Sequence, residues 1–102
     1  MLVHNVYFWL KEGVSEADRL AFETGLRTLC GEPNIHRAYF GKPAATSDRD
    51  VTDHSFDYSL VVFFADMDSH NRYQEESAIH DKFVADHNAI WSRVSVYDAE
   101  VL

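Results

Sequence analysis

The chain has almost none of the residue that cross-links proteins and builds zinc or iron–sulfur centres: Cys30 is the one cysteine among 102 residues. A single cysteine forms no intrachain disulfide, and no cysteine cluster is present to hold a metal. Disulfides are typical of oxidising compartments. We therefore expect the protein in a reducing compartment, the cytoplasm.

Positive charge is also scarce, with nine Lys and Arg against seventeen Asp and Glu and a net charge of -8. Such a field repels phosphate backbones and anionic lipid surfaces. The chain shows no basic leader and no apolar run of the roughly eighteen residues that a membrane-spanning helix needs. We expect no nucleic-acid partner and no membrane association.

What the chain does have is enough apolar material for one core. Hydrophobic residues make up 46% and aromatic residues 14% of the sequence, which excludes global disorder. The length suits one domain, residues 1–102, and is too short for two.

The order of predicted elements indicates the fold class. Hydrophobic periodicity and helix-capping residues predict a strand, a helix, two strands, two helical pieces and a last strand. Their approximate ranges are 2–10, 16–30, 35–41, 56–64, 66–76, 80–91 and 93–101. This order predicts a ferredoxin-like split βαβ arrangement, an α+β fold with a four-stranded antiparallel sheet.

The two strongest predicted strands, residues 2–10 and 56–64, do not alternate between apolar and polar residues. An antiparallel sheet with helices on one side and water on the other is expected to alternate. Both faces of this sheet therefore need a cover, and the chain has no further helices to supply the second one. A second copy is the simplest cover, with roughly 1,200 to 2,000 Å² buried between the sheets, so we expect a homodimer.

Several short segments occur in a characteristic order and spacing. Together they resemble the stress-responsive α/β-barrel domain (Dabb) family, small dimeric proteins whose two ferredoxin-like sheets form a barrel. The resemblance spans essentially the whole chain and implies a stress-responsive dimeric α/β barrel. It rests on Val3–Phe8, Leu10–Ser15, Tyr39–Lys42, Phe56–Val61, the His80-x-x-Phe83 motif, Trp91 and Val96–Asp98.

The resemblance also implies candidate catalytic residues, because the family includes a plant polyketide cyclase. His80 is similar in context to the catalytic histidine of that enzyme, and Tyr73 to its catalytic tyrosine. A neutral His80 could abstract a proton while the Tyr73 hydroxyl stabilises an oxyanion. The alternative is structural: His80 begins the last helix and packs against the first strand, and Tyr73 fills a helix face.

Four further residues are candidates for ligand binding. His4 matches the cyclase histidine of the first strand and points into an apolar surface, where an imidazole needs a hydrogen-bonding partner. Tyr58 stands where the cyclase has another pocket histidine, and Phe83 and Trp91 are aromatic side chains suited to a cavity wall. For His4 the alternative is a hydrogen bond in the core, and for Trp91 it is ordinary core packing. The acidic and histidine-bearing segments have no recognised metal spacing, so we expect no metal and no cofactor.

The long polar segment at residues 42–55, which contains Lys42, Arg49 and His54, is a candidate lid over such a cavity. The alternative is a mobile polar connection.

These observations favour a cytoplasmic homodimer that binds a small hydrophobic or aromatic molecule in a pocket between helices and sheet. One alternative is a cofactor-independent enzyme, a cyclase, isomerase or monooxygenase, that uses His80 with Tyr73 or Tyr58. Another is a non-catalytic structural or protective stress protein whose pocket is filled by side chains.

Overall fold

A four-stranded antiparallel sheet with three helices on one face forms the fold, in a computed structural model that describes residues 1–102. The strands lie in the order β2-β3-β1-β4, which confirms the ferredoxin-like α+β prediction. The elements are β1 (Leu2–Leu10), α1 (Glu16–Leu29), β2 (Arg37–Gly41), β3 (Tyr58–Phe64), α2 (Met67–Glu76), α3 (Ala78–His87) and β4 (Trp91–Glu100), with a short 3-10 turn at Asn88–Ile90.

Strand β1 lies between β3 and β4 and is the centre of the sheet's hydrogen bonding. Its even-numbered residues from Leu2 to Phe8 are buried under the helices, and its odd-numbered residues lie on the opposite, open face. Because side chains alternate along a strand, the register carries this pattern to the neighbouring strands: His4 pairs with Val62 of β3 and with Asp98 of β4.

The core fills the space between the sheet and the helices. Helix α1 contributes Phe22, Leu26 and Leu29, which are fully buried. Rings meet there at angles typical of aromatic packing, with Phe22 centred 5.2 Å from both Phe8 and Tyr58. Most of the apolar surface under the helices is therefore closed by the chain itself.

Serine and aspartate caps define where the helices begin. Ser15 Oγ accepts a hydrogen bond from the Asp18 amide at 3.1 Å, as the sequence predicts for the start of α1. Between α2 and α3, Ser77 has an extended backbone and its Oγ accepts from the His80 amide at 3.2 Å. The break at Ser77 turns the chain between the two helices.

The last helix differs from the prediction for residues 80–91. Helix α3 ends at His87, and Trp91 is the first residue of β4. The cause is pairing with β1: Trp91 lies opposite Leu10, and the Lys11 amide donates to the Ile90 carbonyl at 2.9 Å. Sheet hydrogen bonds thus outweigh the apolar helical spacing. Pairing in β2 and β3 also begins two residues later than predicted, at Arg37 and Tyr58.

Helices α1 and α3 approach closely at Gly25. A side chain there would collide with His87, because its Cβ would lie 2.3 Å from Nε2 of the imidazole. The His87 ring itself packs between Phe22 and Phe83, at centroid distances of 5.6 and 5.5 Å. Glycine at this position is a packing requirement.

The open face of the sheet carries large apolar and aromatic side chains that no helix covers. Tyr7 packs edge-on against Phe56 and Tyr97, and the Arg93 guanidinium lies 4.3 Å from the centre of the Trp9 ring. A concavity of about 710 Å³ lies on this face.

None of the helices is both long enough and apolar enough to cross a membrane.

Candidate functional site

A small cavity of about 160 Å³ lies between the sheet and helices α2 and α3. Its wall is mostly aliphatic and aromatic. Five of the six residues that the sequence singles out line it together, although they come from two strands and two helices. They are His4, Tyr73, His80, Phe83 and Trp91.

His80 and Tyr73 are in direct contact, with ring centroids 4.6 Å apart. The break at Ser77 produces this contact, because it places the last turn of α2 beside the first turn of α3. Nδ1 of His80 is buried and makes no hydrogen bond. Burial lowers the pKa of His80 below its usual value, so the imidazole is neutral at pH 7 and can accept a proton.

Tyr73 is almost completely buried, at 1% exposure. Burial raises the pKa of its hydroxyl well above the usual value, and the nearby negative charge of Glu32 raises it further. The phenol therefore keeps its proton at neutral pH and can donate a hydrogen bond to an oxygen that gains negative charge.

His4 finds its partner in Asp98, whose Oδ1 lies 2.5 Å from Nδ1 of the imidazole. His4 also lines the cavity. The imidazole of His70, on α2, packs edge-on against His4 with centroids 5.4 Å apart. His4, His70 and Asp98 offer one nitrogen or oxygen donor each within 4.8 Å of one another, so these side chains are the ones that could hold a metal ion.

Two further polar side chains near the cavity are incompletely paired. Nε1 of Trp91 is buried without a hydrogen-bond acceptor. Glu32 is buried, and while its Oε1 accepts two hydrogen bonds from Asn34, its Oε2 accepts none. Sequence reasoning missed Glu32, and the available signal was an acidic residue between Gly31 and Pro33, at the turn that ends α1.

Tyr58 is the candidate that the structure places apart from the cavity. It is buried against Phe22, and its hydroxyl donates to Oε2 of Glu23 at 2.6 Å. Burial, followed by this hydrogen bond, raises the pKa of Tyr58 to about 12, and the same bond lowers the pKa of Glu23. The phenol thus faces α1 and a carboxylate rather than His80.

The proposed lid is wrong in its position. The segment between β2 and β3 lies against the open face, where Lys42, Asp53 and Phe56 help to line the larger concavity. Hydrogen bonds to the end of β1 hold it there: the Leu10 amide donates to Asp57 Oδ2 at 2.7 Å, and Trp9 Nε1 donates to Ser55 Oγ at 3.0 Å. No residue of this segment lines the cavity under the helices.

The fold and the family are shared with known proteins. The Stress Responsive A/B Barrel Domain family matches residues 2–101, which confirms the resemblance seen in the sequence. None of the curated proteins matches the chain.

Solved structures share the architecture at low sequence identity. A hydroxynitrile lyase from Passiflora edulis is 12% identical, with 99% of this chain and 93% of that chain covered and a TM-score of 0.81. A Dabb protein from Mesorhizobium loti is 18% identical (99% and 96% covered, TM-score 0.77). A dimeric ferredoxin-like protein of unknown function from Thermobifida fusca is 17% identical (98% and 90% covered, TM-score 0.78). At these identities the likeness shows the fold alone.

The half-buried His80 makes the stability of the protein sensitive to acid. Its pKa is lower in the folded state than the ordinary value of 6.5, so the unfolded chain binds the proton more tightly and the free energy of unfolding falls as the pH drops from 6.5 toward the folded pKa. We expect His80→Gln to reduce the loss of stability between pH about 7.5 and about 5 in urea unfolding. His36→Gln, at an exposed histidine, is the control and should leave the loss unchanged; an equal loss in wild type and H80Q would contradict the prediction.

Proposed function

The chain belongs to the stress responsive A/B barrel domain family, and we propose that it acts as a cytoplasmic homodimer that binds a small aromatic molecule in the cavity under α2 and α3. The cytoplasm is favoured by the single cysteine. The proposal treats the cavity as a ligand site rather than as a packing defect.

Unpaired polar atoms in an apolar cavity are the observation that carries the proposal. Nδ1 of His80 and Nε1 of Trp91 are both buried without hydrogen-bond partners, and each such group costs about 1–3 kcal/mol. Both residues line the cavity. A ligand with an apolar body and one hydroxyl group would bury the first against the aromatic wall and use the second to pair with His80 or Trp91.

The volume of the cavity limits the size of the ligand. About 160 Å³ is comparable to an engineered apolar cavity that binds benzene, and below the roughly 300 Å³ typical of sites for drug-sized molecules. The favoured ligand class is therefore a one-ring phenol or aryl alcohol.

A homodimer is supported by the open face of the sheet. Its aromatic and aliphatic side chains, among them Tyr7, Val61 and Phe63, are only partly covered within the chain, and such side chains are of the kind that partner subunits bury. The similar protein from Thermobifida fusca is described as dimeric. The helix-side cavity is on the opposite side of the sheet, so dimer formation leaves it available.

Acid–base catalysis is a second candidate function, favoured by the contact between His80 and Tyr73. A neutral imidazole beside a protonated phenol forms a base and an oxyanion donor within one cavity. In the proposed step His80 takes a proton from the carbon next to a carbonyl group, and the Tyr73 hydroxyl hydrogen-bonds the enolate oxygen that results.

Ligand binding can be tested with phenol and toluene in a Trp9→Phe background, where Trp91 is the remaining tryptophan and its fluorescence can be excited selectively. We expect saturable binding of both, with phenol about fivefold tighter because one hydrogen bond contributes on the order of 1 kcal/mol. His80→Leu should remove most of that preference, and His36→Leu should preserve it. Absence of saturable binding by either compound would refute the ligand site and favour a structural or protective role.

Catalysis can be tested by following exchange of the methyl protons of acetophenone for solvent deuterium by NMR. We expect the wild-type protein to accelerate the exchange, and His80→Gln and Tyr73→Phe each to lower the rate by about 100-fold, the usual contribution of such groups. Tyr58→Phe, which alters a phenol outside the cavity, should retain the rate. Equal rates in wild type and H80Q would exclude this mechanism.

Dimer formation can be tested by sedimentation of the 11.7 kDa chain at micromolar concentration. We expect the wild type to sediment as a dimer and Val61→Asp, on the open face, to sediment as a monomer, since a buried unpaired carboxylate is strongly unfavourable. Leu20→Asp, at a 54% exposed position on α1, should remain dimeric. A monomeric wild type would overturn the homodimer.

A further inference from the structure

We propose that His4, His70 and Asp98 bind one divalent transition-metal ion of the zinc type, at the side of the helix-covered core. Spacing along the sequence predicts no metal site, because the three residues are far apart in the chain. The fold alone brings them together, from β1, α2 and β4.

The distances suit a metal centre. One donor atom from each side chain lies within 4.8 Å of the donors of the other two. Zinc–nitrogen and zinc–oxygen bonds of about 2.0–2.1 Å in a tetrahedral site put neighbouring donors about 3.4 Å apart. Side-chain rotations that move the donors by about 1 Å would reach this geometry, with the ion taking the place of the hydrogen bond between His4 and Asp98.

The backbone already holds the three side chains on rigid elements. His4 and Asp98 are directly paired across β1 and β4, so their side chains emerge next to each other on the same face. His70 is held over them by packing against Phe64, with ring centroids 5.4 Å apart and planes at 89°. Because the three side chains are already held in place, binding an ion costs little conformational entropy, and this favours a high affinity for the metal.

The second nitrogen of His70 has the kind of partner that metal-binding histidines use. Its Nδ1 lies 3.0 Å from the side-chain oxygen of Asn71. When Nδ1 carries the proton and donates it to this oxygen, Nε2 has a free lone pair for a metal. Such an outer hydrogen bond fixes the tautomer and orientation of the ring in most metal sites.

The donor set selects the class of ion. Two imidazoles and one carboxylate suit zinc and neighbouring transition metals, whereas calcium and magnesium prefer oxygen donors alone. The three protein donors leave a fourth position for water, as in catalytic zinc sites. The Asp98 side chain is 44% exposed, so an ion can enter from solvent, and the net charge of -8 attracts it.

This inference is independent of the proposed function. His4 is the one member of the trio that lines the cavity, and metal binding requires neither an aromatic ligand nor catalysis. Another histidine–carboxylate pair, His54 with Asp48 at 3.1 Å, lies in the segment between β2 and β3 with an Asp48 side chain that is 92% exposed. It has no third donor, so it serves as a comparison site.

The experiment is a calorimetric titration of the untagged, EDTA-treated full chain with zinc chloride alone, followed by NMR of the histidine ring protons. We expect one ion per chain, with signals of His4 and His70 shifted and those of His36 and His54 unchanged. His70→Ala should weaken binding by about 100-fold or more, since loss of an outer partner alone costs 10–100-fold. His54→Ala and His36→Ala are the matched controls and should bind as the wild type does.

A second measurement keeps the inference testable if a variant folds poorly. Asp98→Asn retains the size of the side chain but lowers its donor strength, and we expect it to bind zinc more weakly while its circular dichroism stays that of the wild type. Absence of stoichiometric binding, equal affinity in H70A and wild type, or shifts centred on His54 would each overturn the proposed site.

Discussion

The two-residue period of β1 determines where every candidate residue of this protein lies. One set of its side chains meets the helices and includes His4 and Phe8; the other meets no part of the chain and includes Tyr7 and Trp9. A shift of the register by one residue would exchange the two sets. The cavity, the histidine–carboxylate pair and the uncovered aromatic surface are therefore consequences of one pairing scheme between β1 and its neighbours.

The break between α2 and α3 at Ser77 brings the two candidate acid–base residues, Tyr73 and His80, together. A continuous helix over residues 67–87 would carry Tyr73 and His80 on one surface about two turns apart. The extended residue Ser77 instead brings their rings to 4.6 Å. The same burial that lowers the pKa of the imidazole raises that of the phenol, so both groups are in the neutral form at pH 7. Enclosure thus supplies an acceptor and a donor that are both uncharged.

The sequence predicts the fold well because β1 and β3 are dense in β-branched and aromatic residues, α1 has a clear helical periodicity, and Ser15 marks a helix start. It also places five of the candidate residues around one cavity, chiefly through the family resemblance. It fails where strand pairing determines the secondary structure. Trp91 fits the apolar face of a helix, yet it pairs with Leu10 and belongs to β4. It also fails for His70 and Asp98, whose proximity to His4 depends on the register of two strands and the placement of α2. No spacing rule along one chain contains that information.

The tight approach of α1 and α3 means that the residues allowed at positions 25 and 87 depend on each other. As long as the His87 imidazole occupies its place beside Gly25, any mutation that adds even a methyl group at position 25 displaces it from between two phenylalanines. Substitutions at these positions are expected to appear together in related sequences, a larger residue at 25 accompanying a smaller one at 87. The two positions would then covary, with only a few combinations of side-chain size allowed.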